Sequence, residues 1–284
     1  MASAAPQDLV VTRADLDDWP VVRDWAVAEG WNPGVADGAA FFAQDPEGFF
    51  IGRIDAEPVS AISVVNYGAD YAFLGWYLVR PDLRGRGYGL TTWKTALAHA
   101  ENRTVGLDGV VAEQDNYRRS GFELAHRTFR FTGTAPAVEA PVDVRAVRPA
   151  DLAEIAAYDG LCTPADRPRF LEHWLTGPGH HAVVRRDGDR VTGYGVIRPG
   201  QDCPRIGPLF ADTAEGAQAL FAALTAGAAG REVAIDVPET NEAAVALVEE
   251  AGFTPSFETA RMYTGPVRPY AQERVFGVTT LELG

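Results

Sequence analysis

Apolar residues recur along this chain with two periods that change at sharp points. Over residues 15–30, Leu16, Trp19, Val22, Trp25 and Ala26 fall at helical spacing, and Gly30 ends the run. Trp31-Asn32-Pro33-Gly34 reads as a turn. Asp37 then caps a short helix through Phe41 and Phe42 that stops before Pro46. Beyond this the period drops to two: residues 48–54 and 59–65 read as strands around the Asp55-Ala56-Glu57-Pro58 turn, and the aromatic strand 71–79 follows. A helix over 90–100 places Leu90, Trp93, Leu97 and Ala100 on one face. Residues 104–111 are strand-like, a short helix carries Tyr117, and a strand near 128–131 completes the unit. The order α, α, β, β, β, α, β, α, β predicts an α/β fold.

The pattern then repeats. Ala14-Asp15-Leu16 matches Ala150-Asp151-Leu152, Gly75 in FLGWYL matches Gly207 in RIGPLF, Gly121-Phe122 matches Gly252-Phe253, and Thr132-Gly133 matches Thr264-Gly265; each pair lies 131 to 136 positions apart. Landmarks that stay in register argue for a tandem duplication. The predicted organisation is one domain over 1–133, a proline-bounded linker over 134–141, a second copy over 142–265, and a closing stretch over 266–284 whose strand at 273–282 can join either sheet.

Candidate chemistry concentrates where strand 71–79 meets the next helix. Arg84-Gly85-Arg86-Gly87-Tyr88-Gly89 combines glycines that let the backbone approach a ligand, two guanidiniums, and free amides opening onto a helix N-terminus, which together make an anion cradle. A triphosphatase loop needs Gly-Lys-Ser/Thr, but the only lysine, Lys94, lies inside the helix. The dinucleotide fingerprint G-x-G-x-x-G is not met by Gly85, Gly87 and Gly89. The pattern Arg/Gln-x-x-G-x-G/A behind V-x-P is met by Arg84, Gly87 and Gly89 behind Val79-Arg80-Pro81, and Tyr117-Arg118-Arg119-Ser120-Gly121-Phe122 fits Y-x-x-x-G-F downstream.

On these two motifs the chain resembles the GNAT superfamily of acetyl-coenzyme A dependent N-acetyltransferases, whose layout the element order matches and which implies tandem folds, each with a mixed, mostly antiparallel sheet flanked by helices. Residues 30–34, 45–50, 107–110 and 116–117 make it similar to a bacterial two-lobed subgroup. The resemblance implies that the cradle (Arg84, Gly85, Arg86, Gly87, Tyr88 and Gly89, with Asn116) holds the coenzyme pyrophosphate. It also implies that the strand end at Leu78 and Val79 pairs with the pantetheine arm and offers an amide to the oxyanion, and that Tyr117 reaches the sulfur. It implies direct transfer from acetyl-CoA to a small amine. A primary alkyl amine with pKa about 10.4 is neutral only to about one part in 2,500 at pH 7, so a general base is expected; Glu29, Asp108 and Glu113 are the candidates. Acceptor recognition would fall to residues 29–36, residues 67–71 and Trp76.

The second copy lacks both motifs. The stretch equivalent to the cradle, residues 216–221, is an ordinary helical sequence, and Val248 stands four residues before Gly252. It reads as a degenerate lobe that covers or shapes the first site. The alternative from another class is a non-catalytic acyl-CoA binding or regulatory module.

Composition narrows the partners. With 284 residues, 46% hydrophobic and 23% charged, the chain is an ordinary globular protein long enough for two domains. A net charge of −14 disfavours nucleic acid and favours cationic amines. No basic-then-apolar leader opens the sequence and no run reaches bilayer length, so a cytoplasmic location and no membrane association are expected. Cys162 and Cys203 read as small buried residues, and no metal is expected.

Overall fold

A computed structural model describes residues 8–284. The reading of the chain's start falls partly on residues 1–7, outside the described residues. The first half runs β1 (Val10–Arg13), α1 (Trp19–Ala28), α2 (Asp37–Gln44), β2 (Phe49–Ile54), β3 (Glu57–Tyr67), β4 (Tyr71–Val79), α3 (Tyr88–Leu97), β5 (Thr104–Val110), α4 (Gln114–Arg119) and β6 (Glu123–Thr134). The second half runs β7 (Val144–Ala146), α5 (Leu152–Cys162), α6 (Pro168–Trp174), β8 (His181–Asp187), β9 (Arg190–Arg198), β10 (Arg205–Ala211), α7 (Ala214–Ala226), β11 (Glu232–Pro238), α8 (Glu242–Glu250), β12 (Thr254–Tyr263) and β13 (Val275–Gly277).

Two helices differ from the sequence pattern in which side chains they bury. Leu16 lies ahead of α1 and is 49% exposed, because the helix begins only at Trp19. Leu90 sits in the first turn of α3 and is also 49% exposed, while Trp93 and Ala96 take the buried face instead. The closing strand is shorter than expected: β13 covers three residues and pairs antiparallel with β10 of the second half.

All strands join one mixed sheet, ordered β1-β2-β3-β4-β5-β12-β6-β11-β10-β9-β8-β7. The last strand of each half is exchanged. β6 does not complete the first unit beside β5. It pairs with β11 over Thr128–Thr134, and β12 takes the vacant place, with Thr259–Tyr263 antiparallel to Gly106–Val110 of β5. β6 and β12 then pair with each other at the centre. The expected boundary at 133–142 therefore divides the chain without dividing the sheet.

The halves also share a core. Phe41 of α2 stacks on Trp174 of α6 with ring centroids 6.1 Å apart, and both are fully buried. Asn32 donates from Nδ2 to the Cys203 carbonyl at 3.1 Å, and Asp37 accepts from Arg198 Nε at 3.0 Å.

Charges inside this seam are matched. Asp236 of β11 accepts from Arg130 Nε at 2.7 Å and from Arg205 Nη2 at 2.6 Å; Arg205 Nη1 also donates to Glu282 at 3.0 Å. Buried ions persist only when paired in this way. Burial opposes ionisation of Asp236, but the two guanidiniums outweigh it and hold its carboxyl well below the usual range.

Candidate active site

The site begins where β4 leaves β5. The two strands pair in parallel from Tyr71/Thr104 to Leu74/Leu107 and no further. At that point β4 carries a bulge: Ser63 opposes Gly75 and Ala61 opposes Leu78, so β4 has one residue too many, and Trp76 is forced to φ 50°. A tryptophan in the left-handed region is strained, and such bulges turn a strand out of its ladder. The resulting wedge opens into a cavity of about 760 Å³ lined by both halves of the chain.

The cradle closes one end. Gly85 and Gly87 have φ of 75° and 87°, which favours glycine, and Gly87 is the N-cap of α3. The first-turn amides of α3 thus face the opening with the positive end of the helix dipole. Gly89 is needed for a different reason: a Cβ there would lie 2.5 Å from the Tyr77 hydroxyl. Arg84 donates from Nε to the Val79 carbonyl at 3.0 Å and from Nη2 to Glu29. Leu78, Val79, Arg84, Gly85, Gly87 and Gly89 all line the cavity. Arg86 and Tyr88 are not among the lining residues: Arg86 donates to the Asp82 carbonyl, and Tyr88 is buried and reaches Asp8.

Tyr117 of α4 also lines the cavity. Its ring stacks on Trp93 with centroids 5.7 Å apart and lies over Gly109, where a Cβ would meet it at 2.6 Å. Burial, and then the charge of Glu113, push the phenol above its ordinary value, so it stays protonated at neutral pH. Asn116 does not reach the cavity; its side chain bonds Glu113 and Arg119.

Trp31, Trp76, Phe257 and Leu281 add aromatic and aliphatic surface to the lining, beside the charged Arg130 and Glu282. Residues 67–71 do not contribute. Tyr67 and Tyr71 are buried under the C-terminal segment, and the Tyr67 hydroxyl donates to the Leu283 carbonyl at 2.9 Å. The three base candidates, Glu29, Asp108 and Glu113, all border the cavity. The Asp108 side chain is fully buried and takes a two-pronged bond from Arg261 of β12, at 2.9 and 2.7 Å; burial pushes its carboxyl up against that pull.

Sequence reasoning missed Arg130, Phe257, Thr259, Leu281 and Glu282, which all line the cavity. Leu281 and Glu282 arrive on a strap after β13, and the Glu282 carbonyl lies where a Cβ on Gly75 would have to go. A usable signal existed for Arg130: a lone arginine in the apolar strand 128–132 must find a buried partner.

The equivalent wedge in the second half is closed. β10 and β11 pair in parallel only at Arg205/Ala234 and Ile206/Ile235, then part, and β13 fills the gap on β10 at Leu209 and Phe210. Residues 216–221 are helical within α7, and Val248 is buried in α8.

Known proteins match this architecture in both halves. An acetyltransferase (GNAT) family model covers residues 13–122, and an acetyltransferase (GNAT) domain model covers residues 155–277. A holothin acyltransferase from Pseudoalteromonas sp. (strain SANK 73390) is 37% identical over 273 residues, spanning 95% of this chain and 93% of the relative. The chain belongs to the GNAT acyltransferases. Its two-lobed GNAT fold is shared by a Pyrococcus horikoshii chain described as a candidate acetyltransferase (TM-score 0.85, 21% identity, 100% of this chain and 99% of the other). A tandem GNAT protein from the clavulanic acid biosynthesis pathway is also similar (TM-score 0.61, 18% identity, 91% and 99% coverage). GNAT enzymes use acetyl-CoA, and here the glycine cradle at the N-terminus of α3 opens onto the wedge. Among the described residues no cluster of three or more metal-ligating side chains occurs, and no helix is long and apolar enough to cross a membrane.

Proposed function

We propose that this chain is an N-acetyltransferase that moves the acetyl group of acetyl-CoA directly to the nitrogen of a small amine, at one site in the first lobe. The observation that carries this reading is the contrast between the two wedges: the first is open and flanked by the cradle and Tyr117, whereas β13 occupies the second. The small-molecule acceptor is supported by the relative that acts on holothin.

The cradle amides and Arg84 would hold the pyrophosphate, and the unpaired edge of β4 at Leu78 and Val79 would align the thioester and donate to its developing oxyanion. The amine nitrogen attacks the carbonyl carbon, the carbon–sulfur bond breaks, and the nitrogen gives up a proton to Glu29, Asp108, Glu113 or a water held by one of them. Tyr117 cannot easily surrender its own proton. An ordinary phenol is about 1.5 pK units weaker than a thiol, roughly 2 kcal/mol, and burial widens the gap. Its part is a hydrogen bond to the departing thiolate.

Calorimetric titration with coenzyme A should give one site per chain, and thiol release from acetyl-CoA should require an added amine. Two sites, or none, would refute the reading. Tight binding without thiol release across amines would favour the non-catalytic acyl-CoA module.

A further inference from the structure

The strap after β13 brings a second carboxylate to the apex of the wedge. It crosses β4 at the bulge, where the Glu282 carbonyl occupies the place a Cβ on Gly75 would take, beside the strained Trp76. β4 and β5 part just there, after Leu74 and Leu107. Asp108, the next residue of β5, has both oxygens on Arg261; burial first, and to a smaller degree the charges of Asp236 and Glu282, push its carboxyl up against that arginine.

Glu282 differs from the other carboxylates of the cavity wall. Its side chain is 5% exposed, and Oε1 accepts from Arg205 Nη1 at 3.0 Å. Oε2 is also buried and has no hydrogen-bond partner among the described residues. Trp76 Nε1, on the bulge itself, is the other such group of the cavity wall. Glu29, by contrast, is 31% exposed and engaged by Arg84, and Glu113 is partly exposed and holds Asn116. Buried polar groups are nearly always bonded, and a carboxylate oxygen can only accept. The partner that Oε2 lacks is a donor, and Glu282 lines the cavity by which one arrives.

We propose that Glu282 Oε2 anchors the acceptor nitrogen by taking a hydrogen bond from its N–H. This rests on the transferase reading above and adds to that site a residue from the far end of the chain. A neutral primary amine has two N–H bonds and one lone pair. Anchoring one N–H leaves the lone pair for the thioester carbonyl and the second N–H for the base. The lone pair forms the carbon–nitrogen bond, the carbon–sulfur bond breaks with its electron pair on sulfur, and the product amide keeps the anchored N–H.

Glu282→Gln preserves the side-chain shape. Arg205 Nη1 needs an acceptor, so the amide oxygen takes the place of Oε1 and an NH2 donor stands where Oε2 was. Thiol release from acetyl-CoA would be followed on the full chain with benzylamine, putrescine, glucosamine and glycylglycine, and the best of these taken forward. Glu282→Gln should lower kcat/KM for that amine by roughly 10- to 150-fold, the range for one hydrogen bond to a charged group, and mainly through KM. Coenzyme Kd should stay within about twofold and Tm close to the parent's, a split that a purely structural loss would not produce. Crystals of the unaltered chain with coenzyme A and the same amine decide the matter even if the variant fails to fold: the nitrogen should lie about 3 Å from Oε2. An unchanged kcat/KM, or a nitrogen resting on Glu29, Asp108 or Glu113 instead, would overturn the anchor and leave the transferase standing. No thiol release with any of the four amines, with coenzyme still bound, would overturn both.

Discussion

Removing the Asp236 carboxylate should be among the more damaging single changes outside the cavity. Asp236→Ala leaves the Arg130 and Arg205 guanidiniums without the acceptor of three short bonds, at 2.7, 3.1 and 2.6 Å, in a site where both arginines are about 95% or more buried. Stripping one partner from a buried pair costs about 3–5 kcal/mol, because the abandoned charge cannot reach water. At about 2–4 °C per kcal/mol for a chain of this size, Tm should fall by roughly 6–20 °C. The effect should reach the cavity, because Arg130 holds the Trp31 carbonyl and Arg205 holds Glu282. KM for the amine should rise several-fold while coenzyme affinity, set on the far side at the cradle, changes little. Calorimetry and urea unfolding would measure the first effect, and steady-state kinetics the second. A loss below about 1 kcal/mol, the range of an exposed pair, would refute the claim that this cluster is a desolvated brace between the lobes.

Other outcomes follow from the same geometry. Because Asp236 is held well below its unfolded value of about 3.9, its contribution is present above that pH and lost as pH falls toward the folded value; the Tm of Asp236→Asn should therefore decline less steeply between about pH 5 and pH 2 than that of the parent. Tyr117→Phe should cut kcat by about 10- to 100-fold through loss of one hydrogen bond to a developing anion, with coenzyme Kd nearly unchanged; collapse of affinity instead would place the phenol in binding. Gly87→Ala puts a Cβ on a left-handed N-cap at φ 87° and should weaken coenzyme binding at least about tenfold in calorimetry, with far-UV dichroism preserved. Burial raises both thiols, Cys162 and Cys203, so neither should react with an aromatic disulfide until the protein is unfolded.

Much of the first lobe was legible because its elements announce themselves locally. The strand at Tyr71–Val79, the glycine cradle and the α4 tyrosine each depend on a few neighbouring residues, and the structure places them around one cavity. Local pattern also marks the α7 segment as an uninterrupted helix. The exchange of β6 and β12 was not legible. Alternation tells which face of a strand is buried and says nothing about which of two similar edges it will join, and these strands occupy equivalent positions in the two copies. The same limit hid Arg130, Phe257 and Glu282, whose partners or neighbours in the cavity lie more than 70 residues away along the chain. What the sequence did contain was a set of isolated charges in apolar strands, namely Asp108, Arg130, Arg205, Asp236 and Arg261. Each had to be answered by another, and they pair as Asp108 with Arg261 and Asp236 with both Arg130 and Arg205.

The exchanged strands set an order of events during synthesis. When the ribosome has released residue 134, β5 still presents a bare edge, because the segment that will cover it, Thr254–Tyr263, has not been made. The nascent first half can collapse around α3 and β2–β5, but its wedge cannot take final form until the far wall and the strap at 281–282 arrive. The cavity is thus incomplete until residues 281–282 have been made, and a gene split at the junction would yield two fragments that must find each other before the wedge can close.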